Sequence, residues 1–142
     1  MAHTIDYRYS LATHPLQTVF LAGTIPLFLG AALSDFVYSR SYHIQWNNFA
    51  SWFLVGALIF GGVALVLMII DLCRPRRRAR GIGLYAVLLL LTWVVGFINA
   101  LMHARDAWAS MPTGLILSIV VTLLACVTTW YGLHTKPLRG TT

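Results

Sequence analysis

The sequence predicts an all-α integral membrane protein, a four-helix bundle with both termini in the cytoplasm. Three observations predict it: four apolar runs long enough to cross a bilayer, 58% hydrophobic residues against 10% charged ones, and lysines and arginines gathered on one side of the resulting topology. A hydrocarbon core about 30 Å thick takes roughly 20 helical residues, so four crossings nearly exhaust 142 residues. Glutamate is absent, and a water-soluble domain of this composition lacks the polar surface to cover itself. The chain reads as one domain, 1–142, with no visible repeat, low-complexity stretch or linker.

The first span is expected over 16–38. Pro15 stands where a helix begins, a position at which its missing amide hydrogen is harmless. The apolar core exceeds the roughly 7–15 residues of a secretory signal, and the leader carries Asp6 beside a single Arg8, so the span is expected to be retained. The second span is expected over 49–72, with His43, Gln45, Asn47 and Asn48 in the loop before it. Pro75 and Gly81 bracket a loop holding Arg74, Arg76, Arg77, Arg78 and Arg80, ahead of a third span over 82–102. A fourth span over 112–133 starts at Pro112, with Ser110 as its expected cap, and ends before Pro137 and Gly140.

Orientation follows from counting Lys and Arg. Arg8, the five loop arginines, Lys136 and Arg139 share one side, eight residues in all, while only Arg40 and Arg105 lie on the other. Such a bias places the richer side in the cytoplasm. Tyr38, Tyr42, Trp46, Trp52 and Trp108 fall near the outer boundary, and Tyr85, Trp130 and Tyr131 near the inner one, as interfacial anchors do. The net charge of +6 raises nucleic acid as a partner. Half of the basic residues sit in the one loop, however, which reads as a topology signal with attraction to anionic headgroups, so no nucleic-acid partner is expected.

Association inside lipid relies on close backbone approach and a few interhelical hydrogen bonds. Gly23, Pro26, Gly30 and Ser34 form a small-residue seam on the first helix, Ala57, Gly61 and Ala64 on the second, and Gly114, Ser118, Thr122 and Ala125 on the fourth. On the third helix Thr92, Gly96, Asn99, His103 and Asp106 recur at spacings of three and four and share one stripe, increasingly polar toward the outer boundary.

Asp35, one turn from the outer end of the first helix, needs a partner or a proton there. A polar cluster of Asp35, Asn99, His103, Arg105 and Asp106 is therefore expected, with His43, Gln45, Asn47 and Asn48 closing over it. Two readings compete. In one, an Asp35–Arg105 pair with Asn99 and His103 bonded across helices fixes the bundle. In the other, the cluster binds a small ligand, a proton or a redox group, since histidine carries protons and ligates metal and haem.

The remaining ionisable residues say less. Asp71, at a helix C-terminus, opposes the helix dipole and is expected to pair with Arg74 or a neighbour. Cys73 and Cys126 show neither CxxC nor metal-ligand spacing and read as free thiols. A b-type haem needs two histidines at one depth. His14 with His134 on the inner side, or His103 with His43 on the outer, meets that condition, while His14 with His103 does not. No pair sits well inside two spans, so no cofactor is expected and haem is the alternative. No hydrolase triad, HExxH, P-loop or dinucleotide fingerprint occurs, so catalysis is not expected and no metal site is assigned.

Four segments carry a family resemblance: His14-Pro15, Thr24 to Gly30 leading to Asp35, Gln45 to Trp52, and Gly96 to Trp108. Through them the chain resembles the bacterial membrane proteins grouped as "domain of unknown function 2231", over nearly its whole length. The resemblance implies a four-helix layout and an inner-membrane location, names no substrate, and places His14, Asp35, Asn99 and His103 in recognisable family segments. The leading expectation is a non-catalytic membrane subunit or accessory protein, with the bilayer and a membrane-protein partner or second copy as its partners. The alternatives are a haem- or quinone-linked electron-transfer module using His103, Asn99 and Trp108, and a proton-coupled small-solute carrier using Asp35 and His103. Against the carrier, no inverted repeat or mid-membrane break is visible.

Overall fold

The computed structural model describes residues 15–73, 81–105 and 107–134. Within them the chain forms α1 (Pro15–Ser41), α2 (Ile44–Leu72), α3 (Ile82–His103) and α4 (Thr113–His134), with a short 3-10 helix at Ala107–Ser110 before α4. All four α-helices are long and apolar enough to cross a membrane. Helices suit these stretches because a backbone in hydrocarbon must satisfy its own amides and carbonyls. Pro26 lies inside α1, on an exposed face.

The third and fourth spans agree with the sequence reading to within a residue at each end. The first two correct it. α1 continues to Ser41 and α2 already begins at Ile44, so the connection is only Tyr42 and His43. Gln45, Asn47 and Asn48 are therefore helical rather than loop residues. A helix end that emerges from lipid tolerates polar residues without unwinding, which is why polarity misplaced this boundary. Tyr42 ends α1 in the left-handed region (φ 60°), its amide donating to the Tyr38 carbonyl at 2.9 Å. At the other turn Gly81 adopts φ 95°, where glycine meets no Cβ penalty, and its carbonyl accepts from the Tyr85 amide at 3.0 Å. Ser110, the expected cap of α4, lies in the 3-10 helix and turns its hydroxyl to Asn47 Oδ1 at 3.2 Å.

Sequence neighbours pack side by side. α1 lies against α2 and α4, and α3 against the same two, so α1 and α3 face each other across the bundle axis and run parallel. Their axial residues repeat with one offset. Gln17 meets Tyr85 and Asp35 meets His103, both pairs 68 residues apart, and Phe28 meets Gly96 in the same register. Leu21 and Leu89 share a core cluster at that offset too. A repeat of burial phase is thus present where no repeat of residue identity is visible, because the two chains of contacts pair unlike residues.

Rings seat in glycine notches throughout. A Cβ on Gly23 would lie 2.6 Å from the Phe60 ring, one on Gly30 3.0 Å from Phe53, and one on Gly96 3.0 Å from Phe28. The expected seam of α1 is thereby divided: Gly23 and Gly30 receive α2, Pro26 is exposed, and the core stripe is Gln17, Leu21, Thr24, Phe28, Ala31, Asp35 and Tyr38. Ala57, Gly61 and Ala64 on α2 are buried, as are Gly114, Ser118 and Ala125 on α4, with Thr122 half-buried. Large apolar side chains cover the outside of all four helices, the inverse of a soluble bundle and the pattern lipid permits.

Candidate functional site

The core changes character toward the end that carries the α1–α2 and α3–α4 connections. Below it, α1, α2 and α4 pack Phe28, Ala31, Leu54, Ala57, Val121 and Ala125 into an apolar cluster. Above it, the α3 stripe brings Asn99 and His103 inward, α1 brings Asp35, and α4 brings Ser118. All four are buried, and Asp35 and Asn99 have no exposed surface.

Their polar atoms form one chain. His103 Nδ1 sits 2.9 Å from the Asn99 carbonyl, one helical turn back. His103 Nε2 lies 2.8 Å from Asp35 Oδ1. Ser118 Oγ donates to Asp35 Oδ2 at 2.6 Å, and the Asn99 side-chain amide meets that hydroxyl at 2.8 Å. Three helices are thus joined across the bundle axis. The close approach depends on Gly114, where a Cβ would fall 2.9 Å from His103 Cε1. A neighbouring link joins the 3-10 helix to α2 through Ser110 and the buried Asn47. On the surface above, Trp108 packs against Tyr38 and Tyr42, with ring centroids 5.7 and 4.8 Å away.

A carbonyl oxygen only accepts, so Nδ1 of His103 carries a hydrogen. The contact between Nε2 and Asp35 Oδ1 then needs one further proton, on the nitrogen or on the oxygen. Either placement leaves the pair with no net charge, and this is how a carboxylate with no exposed surface is accommodated without a cation from elsewhere.

That corrects the expected pairing of Asp35 with Arg105. Arg105 is exposed just past α3, and its guanidinium donates to Met102 Sδ at 3.9 Å. A long side chain at a boundary reaches water, whereas the shorter histidine points along the buried stripe. His43, Gln45 and Asn48 are exposed and do not enter the cluster, while Asn47 is buried beside it. Asp106 lies outside the described residues. Ser118 was legible only as a small residue on the α4 seam; nothing in the sequence assigned its hydroxyl to Asp35.

At the opposite end Gln17 Nε2 donates to the Tyr85 hydroxyl at 3.2 Å. Gln17 Oε1 and Thr129 Oγ1 are buried there without a hydrogen-bond partner, whereas Thr128 bonds Thr92 at 2.9 Å. His134 is exposed, its Nδ1 2.8 Å from the Trp130 carbonyl and its ring stacked on Trp130 at 4.0 Å. His14, the arginines at 74, 76, 77, 78 and 80, and hence any pairing of Asp71 with Arg74, lie outside the described residues. Cys73 and Cys126 are exposed free thiols.

For haem or a metal at this cluster the donors fit poorly. Both ring nitrogens of His103 are engaged, so ligation requires breaking one of these bonds, and its expected co-ligand His43 stands on the exposed turn. Among the described residues no group of three or more His, Cys, Asp or Glu is placed to hold a metal ion.

The family model described as "predicted membrane protein (DUF2231)" matches residues 13–136. Neither the curated proteins nor the solved structures give a match.

Proposed function

The chain belongs to the DUF2231 family of predicted membrane proteins, and from that premise we propose that it serves as a non-catalytic integral membrane subunit or accessory protein. One observation supports this reading. With the Asn99 amide nitrogen donating to the Gly114 carbonyl and its oxygen facing Ser118, the polar side-chain atoms of Asp35, Asn99, His103 and Ser118 are bonded to one another or to the backbone of their own chain, so the cluster acts as an internal tie between α1, α3 and α4. A substrate site would present polar groups awaiting a ligand.

The charge asymmetry supports an orientation with both termini in the cytoplasm and the cluster near the outer boundary of a bacterial inner membrane. The exposed apolar faces are the surfaces on which a membrane-protein partner or a second copy would pack, through close van der Waals contact rather than hydrophobic drive.

Native membranes solubilised gently and resolved by size test the role. Tagged chain is expected in a particle larger than the 15.8 kDa protein with its detergent belt, and Asp35→Asn or His103→Gln should loosen the bundle and deplete that particle. Migration as a lone chain, or variants as stable and as assembled as the parent, would overturn the proposal.

A further inference from the structure

The offset of 68 residues that pairs α1 with α3 also relates α2 to α4. At that spacing the first residues of α1 and α2, Pro15 and Ile44, correspond to Gly83 and Pro112, each one residue from where α3 and α4 begin. Each buried residue of α3 corresponds to a buried residue of α1. Ala50, Ala57, Gly61 and Ala64 of α2 correspond to Ser118, Ala125, Thr129 and Gly132 of α4, all of them buried. Scattered identities fall on these positions, Leu21 with Leu89, Thr24 with Thr92 and Ala57 with Ala125, too few to show as a repeat in the sequence.

A single offset for both helix pairs is the product of a half-turn about the bundle axis, the relation that parallel repeats have about the membrane normal. Four unrelated helices have no reason to share it, since the register of α1 on α3 and that of α2 on α4 are set by different side chains. Under a half-turn, residues on the axis meet their own counterparts. Gln17 meets Tyr85, Phe28 meets Gly96 and Asp35 meets His103, spread over the length of the bundle. Contact between a position and its own counterpart is the mark of the isologous interface through which two copies of a subunit associate.

The pairs on the axis are unlike, and their unlikeness selects the partner. Two α1–α2 hairpins placed about the same axis would set Phe28 against Phe28, where the ring now fills the space over Gly96, 3.0 Å from the place of a Cβ. They would also set Asp35 against Asp35, two buried carboxylates that cannot both stay ionised. Two α3–α4 hairpins would leave Gly96 facing Gly96 across a hole. We propose that the chain is a fusion of two related hairpin subunits, α1–α2 and α3–α4, whose axial faces form a subunit interface that holds without the covalent connection and accepts the unlike hairpin in preference to a like one. This surface is separate from the outer faces on which the accessory role depends.

Cutting the full chain tests this. The chain is placed in lipid vesicles with a specific protease site between Cys73 and Gly81 and a different tag at each end, cut, and captured in mild detergent through either tag. The two hairpins are expected to be recovered together in equal amounts. Their separation, under conditions in which the uncut chain keeps its helicity, would overturn the proposal. Gly96→Phe recreates the ring-on-ring contact of one like pair and Phe28→Gly the hole of the other, so each should reduce recovery of the second hairpin several-fold. Single variants recovered as fully as the parent would overturn the selection by these residues. Phe28→Gly/Gly96→Phe carries the ring across the axis into the equivalent space and should restore most of the recovery. A double variant that recovers no more than the worse single, or that fails to fold, would overturn the twofold relation and the fusion with it.

Discussion

Gly114→Ala adds one methyl group beside His103 and should uncouple the cluster. The new Cβ would stand 2.9 Å from Cε1 and 3.4 Å from Nε2, against about 3.5–4.0 Å for an unstrained carbon contact. The ring must recede by roughly 0.6 Å to reach that range. Because Nδ1 is held to its own helix, the shift falls on Nε2, whose 2.8 Å bond to Asp35 is carried toward the limit of a hydrogen bond. A lost interhelical bond in a membrane is worth about 0.6 kcal/mol on average and up to about 1.7, while alanine in place of glycine returns up to about 0.8–1 kcal/mol of helix propensity in water. The net change in the parent is thus small, and its dependence on background carries the information. In an Asp35→Asn/His103→Ala background, where the ring is gone, Gly114→Ala should turn stabilising, with a coupling of about 1–2 kcal/mol. Reversible unfolding in mixed micelles, followed by far-ultraviolet circular dichroism, measures both. Effects that add to within about 0.3 kcal/mol would refute the steric and hydrogen-bonding argument together.

The adjacent threonines of α4 should behave oppositely in the same assay. Thr128→Val loses the bond to Thr92 and is expected to cost about 1 kcal/mol, whereas Thr129→Val removes a buried hydroxyl without a partner and should be neutral or stabilising. Gly23→Ala drives a methyl into the Phe60 ring and should destabilise by about 1–3 kcal/mol, with partial rescue by Phe60→Leu; equal loss in both backgrounds would show that the notch is not the cause. Both cysteines are exposed, but Cys126 lies within α4 and Cys73 just past the end of α2. A membrane-impermeant maleimide should therefore label Cys73 only, and only from the cytoplasmic face; labelling from the outside would reverse the proposed orientation.

The fold was legible because lipid imposes a crude and strong rule: runs of about 20 apolar residues cross as helices. Boundaries marked by Gly81 and Pro112 were read to within a residue, whereas the α1–α2 turn was not, since polarity at Gln45, Asn47 and Asn48 reports emergence from lipid rather than the end of a helix. In the cluster, the α3 stripe followed from the period of three and four alone. The identity of Asp35's partner did not. Formal charge pointed to Arg105, but side-chain length and direction decide which group reaches a buried carboxylate, and both favour His103. Ser118 was hidden for a further reason: a serine on a small-residue seam looks the same whether its hydroxyl bonds its own helix, as Ser34 does to the Gly30 carbonyl, or a group on another. The burial repeat of α1 and α3 escaped because it pairs glutamine with tyrosine and aspartate with histidine.

Magic-angle-spinning nuclear magnetic resonance on the chain in lipid bilayers, with ¹⁵N in the histidine rings and ¹³C at the aspartate carboxyl carbons, measures the His103–Asp35 link itself. Dipolar transfer from Nε2 of His103 to Cγ of Asp35 is expected, matching a nitrogen 2.8 Å from Oδ1, and it should vanish in His103→Gln. Absence of that transfer in the parent, with His103 giving the resonances of a ring free in water, would mean that α1 and α3 are not joined across the bundle by this pair.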